Sequence, residues 1–224
     1  MNLTWQKISD PTSTTSNEGL RTLVLNTAFV YGGTVVLLGL GFVLKLLLTR
    51  VLSPIDFGLL VTGQMIVQVG QNLTQLILPD AVTRYVGLYA VQRMGKAKRA
   101  LVDALKINLT LSAFTVLFLV AAADFAANVV YAQPRLKGVL VILALSMPFI
   151  TLTETLAAAC RGLGQVWVKV VCVDIGRILC VIVVVCALAA RGLNSLATVV
   201  GAHVSAALLV GMLTGIVFRR DPRW

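Results

Sequence analysis

A chain of 224 residues in which 58% are hydrophobic and only 12% charged, with a mean hydropathy of +0.92, is too apolar for a soluble domain, where about a quarter of residues carry charge. It reads as an all-α integral membrane protein, and with about 20 apolar residues needed per crossing, six spans fit in this length and twelve do not. The formal net charge of +10 does not point to nucleic acid, because the basic residues fall mostly between the apolar runs, where the positive-inside rule places them.

The first 21 residues are polar and rich in Ser and Thr, with no apolar core near the start, so no cleavable signal peptide is expected and the first span directs insertion. Span one is expected over about 22–48 and carries Gly32, Gly33, Gly39 and Gly41, which permit bending and close approach. A hinge follows, Arg50 to Gly58. Ser53 is placed to cap a helix, Pro54 suits the first helical position, and Asp56 faces the positive end of the helix that begins there. Span two is expected over about 54–78, ended by Pro79 and Asp80.

The next segment is the most basic in the chain, with Arg84, Arg93, Lys96, Lys98, Arg99 and Lys106, and is expected in the cytoplasm. Span three is read at about 107–123, and span four at about 139–159 with a kink at Pro148. Span five is read at about 166–190, span six at about 193–218, and a basic tail at 219–224. With both termini inside, about twelve basic residues face the cytoplasm and about four, Arg50, Arg135, Lys137 and Arg191, face outward.

Span two carries Gln64, Gln68, Gln71, Asn72 and Gln75, which at about 100° per residue fall within roughly a third of the helix circumference. Such a stripe either lines a water-filled path that hydrogen-bonds the hydroxyls of a polar cargo or joins helices to one another. Asp174 and Arg177 lie three residues apart in span five, on one face and deep in the bilayer. They form either a site for an anionic head group or coupling ion, or a self-neutralising structural pair. Lys45 and Arg50, near the outer end of span one, either snorkel to lipid phosphates or rim a cationic path. Glu154 lies two turns before Arg161 on the same side and is read as anchoring that helix end.

His203, the single histidine, has no ligand set around it in the sequence and reads as a packing residue. Gly201 with Ser205, and Gly211 with Gly215, are small-x-x-x-small pairs that permit helix contact. Cys160, Cys172, Cys180 and Cys186 lack the spacing of a zinc site or a disulfide framework. The glycosylation sequons at Asn72 and Asn108 fall in apolar helices. With no catalytic constellation, metal cluster or phosphate loop, neither an enzyme nor a cofactor is expected.

The segment Leu47 to Leu59, containing Arg50, Pro54, Asp56 and Gly58, is followed by Thr83-Arg84-Tyr85 and later by Arg161-Gly162-Leu163-Gly164. This pattern resembles the N-terminal half of polysaccharide-type flippases of the multidrug/oligosaccharidyl-lipid/polysaccharide exporter superfamily. The resemblance implies a six-helix bundle that is one half of a two-bundle transporter of the cytoplasmic membrane. It would move lipid-linked oligosaccharide to the outer leaflet by alternating access, without an ATP site. It further implies a cationic cavity for a pyrophosphate-linked cargo, with Arg177 and Lys45 as candidates. One bundle supplies one wall, so a second half or a second copy is expected as partner, or else the chain is a truncated frame. The competing readings are a drug/ion antiporter of the same superfamily, against which Arg177 and the amides argue, and a non-transporting fragment or assembly partner of a polysaccharide complex.

Overall fold

The computed structural model describes residues 14–75, 78–89, 94–192 and 195–220, all in helices and short turns with no strand among them. Most of the polar lead-in, Arg93 and the end of the basic tail, including Arg223, lie outside the described residues.

Helix α1 runs over Thr14–Val51 and α2 over Pro54–Gln75. The hinge between them has the capping chemistry expected of its sequence. The Asp56 backbone N–H donates to the Ser53 hydroxyl oxygen at 3.2 Å, and that hydroxyl donates in turn to the Asp56 carboxylate at 2.9 Å. One otherwise orphaned donor of the helix start is thereby satisfied, and a negative charge is fixed at its positive end.

Helix α3 (Leu78–Tyr89) changes the expected layout. Pro79 does not end a span here; it sits in the first turn of a separate helix, where its missing N–H goes unmissed. Span three is also longer than its apolar run. Helix α4 (Met94–Phe125) begins in the basic segment, because Lys96, Lys98, Arg99 and Lys106 are good helix formers and no Gly or Pro interrupts residues 96–125. It continues into one π-helical stretch, Ala126–Val130.

Span four is two helices, α5 (Arg135–Leu145) and α6 (Met147–Gly162), meeting at Ser146. Pro148 has no N–H to give to the Ala144 carbonyl one turn back, and just before it the Ser146 hydroxyl and backbone N–H both donate to the Leu143 carbonyl, at 2.6 Å and 3.1 Å. Span five opens with eight π-helical residues, Val168–Ile175, before α7 (Gly176–Ala190), and α8 covers Leu196–Arg220.

Among the described residues, five helical stretches are long and apolar enough to cross a membrane: Thr27–Val51, Gly95–Val130, Arg135–Gly162, Val168–Ala190 and Leu196–Phe218. Helix α2 has 22 residues, a length of about 33 Å at 1.5 Å per residue. It is not among the five, since its amides lower its apolar character.

The packing is centred on α5 and α6. Half of their apolar stretch is buried, against 6% of that of α1, so α6 is the axis and α1 a peripheral helix touching mainly α7 and the π-helical segment before it. Leu60, Leu136, Leu140, Met147, Val185 and Val200 form the main core. A second cluster joins Val82 and Val86 of α3 to Leu101 of α4 and to Ala158 and Ala159 of α6. The run Ala157-Ala158-Ala159-Cys160 is fully buried, and its small side chains let α3 approach closely. In lipid, such close packing supplies the attraction that the hydrophobic effect supplies in water.

Candidate functional site

The five amides of α2 line one cavity of about 310 Å³. Their common face follows from the helical period, and that face is turned inward because the apolar face of α2, Leu59, Leu60 and Val67, packs into the core beside it. The opposite wall is made by Leu143, Ser146, Ile150 and Glu154 of the broken fourth span, by Arg177, Ile178 and Val181 of α7, by Leu44 of α1 and by His203 of α8. The break at Ser146 thus lies in the cavity wall. Gln68 and Asn72 line the cavity yet are exposed, so it is open on the α2 side.

His203 does more than pack. Its Nε2 lies 2.8 Å from Nε2 of Gln64, and its Nδ1 lies 3.0 Å from the Val199 carbonyl one turn back. The carbonyl can only accept, so Nδ1 carries the proton and donates to it, and Nε2 accepts from the Gln64 amide. The sequence offered a signal for this contact only in that both residues are polar and lie deep in apolar runs.

The charged residues pair differently from the sequence reading. Asp174 and Arg177 do not form an ion pair; Asp174 binds Lys169 at 2.9 Å, and the same ammonium binds Glu154 of α6 at 2.8 Å. In an α-helix, residues five apart point about 140° away from each other. Residues 168–175 are π-helical, and the i→i+5 repeat stacks residue 174 on residue 169. This local winding is not visible in the sequence pattern, and Glu154 is tied to Lys169 rather than to Arg161. Lys169 itself was missed by the sequence reading. Arg177 has no carboxylate within ion-pair distance among the described residues, and it faces the amide cavity. Asp174 and Lys169 line a different cavity of about 200 Å³, together with Gly33 and Thr34 of α1 and with Arg161. Lys45 and Arg50 are exposed and line neither cavity.

The motif residues cluster away from the amides and have structural explanations. Gly164 ends α6 with φ +82°. The N–H of Gln165 donates to the Cys160 carbonyl at 2.9 Å and that of Gly164 to the Arg161 carbonyl at 2.9 Å, the paired bonds of a Schellman cap. Gly162 lies against α3, and a methyl group there would come within 2.7 Å of the Thr83 carbonyl. The Thr83 hydroxyl donates to the Ala158 carbonyl at 3.1 Å. The Thr83-Arg84-Tyr85 and Arg161 to Gly164 segments therefore form one joint between α3 and α6, with Arg161 4.0 Å from Asp80 and Arg84 exposed.

Of the three glycines in the small-residue pairs on α8, only Gly211 lies so close to another helix that an added methyl group would meet it, 3.1 Å from the Thr153 hydroxyl. None of the four cysteines is in a disulfide. Among the described residues, no group of His, Cys, Asp and Glu is arranged to hold a metal.

A family model described as "Polysaccharide biosynthesis protein" matches residues 23–222. No curated protein and no solved structure matches the chain. The matched region takes in the hinge, the α3–α6 joint and every wall of the amide cavity. With five helices apolar enough to cross a membrane, the chain is a multi-pass membrane protein of transporter type, and it belongs to the polysaccharide biosynthesis protein family.

Proposed function

We propose that the protein flips lipid-linked oligosaccharide across the cytoplasmic membrane during assembly of a surface polysaccharide. In this reading α2 also crosses the membrane, which makes six crossings, both termini are cytoplasmic, and the bundle is one half of the transporter. The observation that carries the reading is the cavity: five uncharged amides suited to sugar hydroxyls share its lining with Arg177, which has no carboxylate within ion-pair distance among the described residues, while Glu154 in the same wall is held by Lys169. A cationic side chain held within a bilayer without a counter-ion is costly, and an anionic phosphate group meets that need. The amides bind polar cargo without holding it as tightly as charges would.

The cavity's open side on α2 fits the requirement for a second half, supplied by a partner chain or a second copy, since alternating access needs two bundles moving about the site. The test is Arg177→Ala in a strain whose surface polysaccharide depends on this protein. Loss of surface polysaccharide at unchanged membrane protein level is expected. Normal polysaccharide would leave Arg177 structural and remove the cargo reading.

A further inference from the structure

Helix α4 is longer than one membrane crossing requires. Its 32 residues span about 48 Å at 1.5 Å per residue, against about 30 Å of hydrocarbon, and its apolar run begins only at Ile107. Residues 94–106 therefore stand at the headgroup level or beyond it, and α3 packs beside them. The two helices enclose a groove of about 190 Å³, walled by Ala81, Val82 and Tyr85 of α3 and by Leu101, Ala104 and Ile107 of α4. One end of the groove thus lies at the hydrocarbon boundary, and the other among the basic turns of α4.

Over residues 78–89 and 94–106 there are five basic residues against two acidic ones, Asp80 and Asp103. Arg84 shares a face of α3 with Ala81 and Tyr85, Lys96 lies one turn before Ala100 of the groove wall, and Arg99 is the next residue to it; all three cations are exposed. The Tyr85 ring stacks on that of Tyr89 with centroids 6.1 Å apart, and the Lys96 Nζ lies 5.9 Å from the Tyr89 centroid. The stack holds this ammonium near the groove, and because an aromatic ring carries no net charge, the ammonium still attracts an anion. The positive-inside rule accounts for cations at this end of the bundle but not for an apolar groove among them. Tyr85 and Leu88 are each more than half exposed, which suits the headgroup level, where tyrosine is enriched, better than open water.

We infer that this groove seats an anionic phospholipid, with its phosphate among Arg84, Lys96 and Arg99 and part of one acyl chain between α3 and α4. The chain enters beside Ile107, where the groove meets the hydrocarbon. Asp103 also lines the groove and repels an anion at its own level, which sets the phosphate at the Lys96 end. A segment of a soluble protein fits less well, because it would have to reach the hydrocarbon boundary to fill the groove. The lipid ties α3 to α4, and α3 is in turn held to α6 through the Thr83 hydroxyl and the Ala158 carbonyl. The site is separate from the amide cavity and does not depend on what that cavity carries.

The full chain, purified in a non-ionic detergent, is titrated with phosphatidylglycerol or with phosphatidylcholine of the same acyl chains, and native mass spectrometry reads the bound lipid. Each Lys or Arg near a lipid phosphate is worth about fivefold in affinity, so the wild type is expected to bind its first phosphatidylglycerol at least about tenfold more tightly than phosphatidylcholine. Arg84→Gln, Lys96→Gln and Arg99→Gln combined should lose that preference, and because all three positions are exposed, the thermal melt should be kept. Lys45→Gln, Arg50→Gln and Arg191→Gln combined, toward the other end of the bundle, should keep the preference. Ala81→Trp, which fills the groove and leaves the charges, should weaken phosphatidylglycerol binding severalfold, and glycerol 1-phosphate at the same concentration as the lipid should displace none. No preference in the wild type would overturn the site and leave the face to a protein partner. A preference retained in the first triple variant, or lost equally in both, would also overturn it. Unchanged binding in Ala81→Trp, or displacement by glycerol 1-phosphate, would remove the acyl chain from the groove and the phospholipid with it.

Discussion

The amide of Gln64 and the imidazole of His203, 139 residues apart in sequence, meet at 2.8 Å and tie α2 to α8 across one end of the cavity. This contact joins the amide-bearing helix to the last helix of the bundle, which otherwise touches it at few points. Hydrogen bonds between membrane helices contribute about 0.6 kcal/mol on average and up to about 1.7 kcal/mol. A double-mutant cycle with Gln64→Leu and His203→Leu, read by unfolding in detergent, should give a coupling energy in that range. A coupling of zero would mean that the two side chains act independently.

The lysine bridge makes a sharper demand on stability. Lys169→Met leaves Glu154 and Asp174 without their ammonium in a mostly buried setting, a loss on the order of 2–4 kcal/mol. Glu154→Gln leaves Lys169 with Asp174 and should cost clearly less. The order of the two apparent melting temperatures, Lys169→Met below Glu154→Gln, checks this. The reverse order would show that the lysine is not the hub.

Helix α1 is seated by one close approach. A methyl group on Gly33 would overlap Val170 of the π-helical segment, so Gly33→Ala should destabilise the protein by about 1–3 kcal/mol, the usual cost of overpacking. Val170→Ala should restore much of that loss when combined with it, although Val170→Ala alone is destabilising. Additive losses in the double variant would place the clash elsewhere. Gly32, one residue away, has open space beside it, and Gly32→Ala should change little.

The α3–α6 joint predicts a different pattern for its two glycines. Gly162→Ala drives a methyl group into the Thr83 carbonyl and Val86, and backbone cannot yield as a flexible side chain can. It should loosen α3, measured as faster protease cleavage within residues 78–93. Gly164→Ala places a Cβ at φ +82° but in open space, so its cost is conformational, about 1 kcal/mol. It should lower the melting temperature without exposing α3. Equal cleavage in both variants would contradict the distinction.

These elements differ in how far they were legible in the sequence. The hinge was legible because capping is local: Ser53, Pro54 and Asp56 act within one turn of each other. The amide stripe was legible because a regular α-helix turns spacing into direction. Its place on a shared wall with Glu154, Arg177 and His203 was not, since that depends on how six helices pack. The Asp174–Arg177 pairing failed for a specific reason: it assumed α-helical winding in a stretch that is π-helical, where Lys169 is the residue beneath Asp174. Pro79 was read as a stop because a proline ends a helix before it as readily as it opens one after it. The burial of Val82 and Val86 under α6, a tertiary contact, decides in favour of the second.

The central claim, that the α2 amides face a water-filled path, is tested most directly by thiol labelling. With the four native cysteines replaced, single cysteines are placed at Gln68, which lines the cavity, and at Val69, which is exposed on the outer surface of the bundle away from it, and each is treated in membranes with a membrane-impermeant, water-soluble maleimide. Gln68→Cys should label and Val69→Cys should stay protected by lipid. Equal labelling at the two positions would contradict the claim.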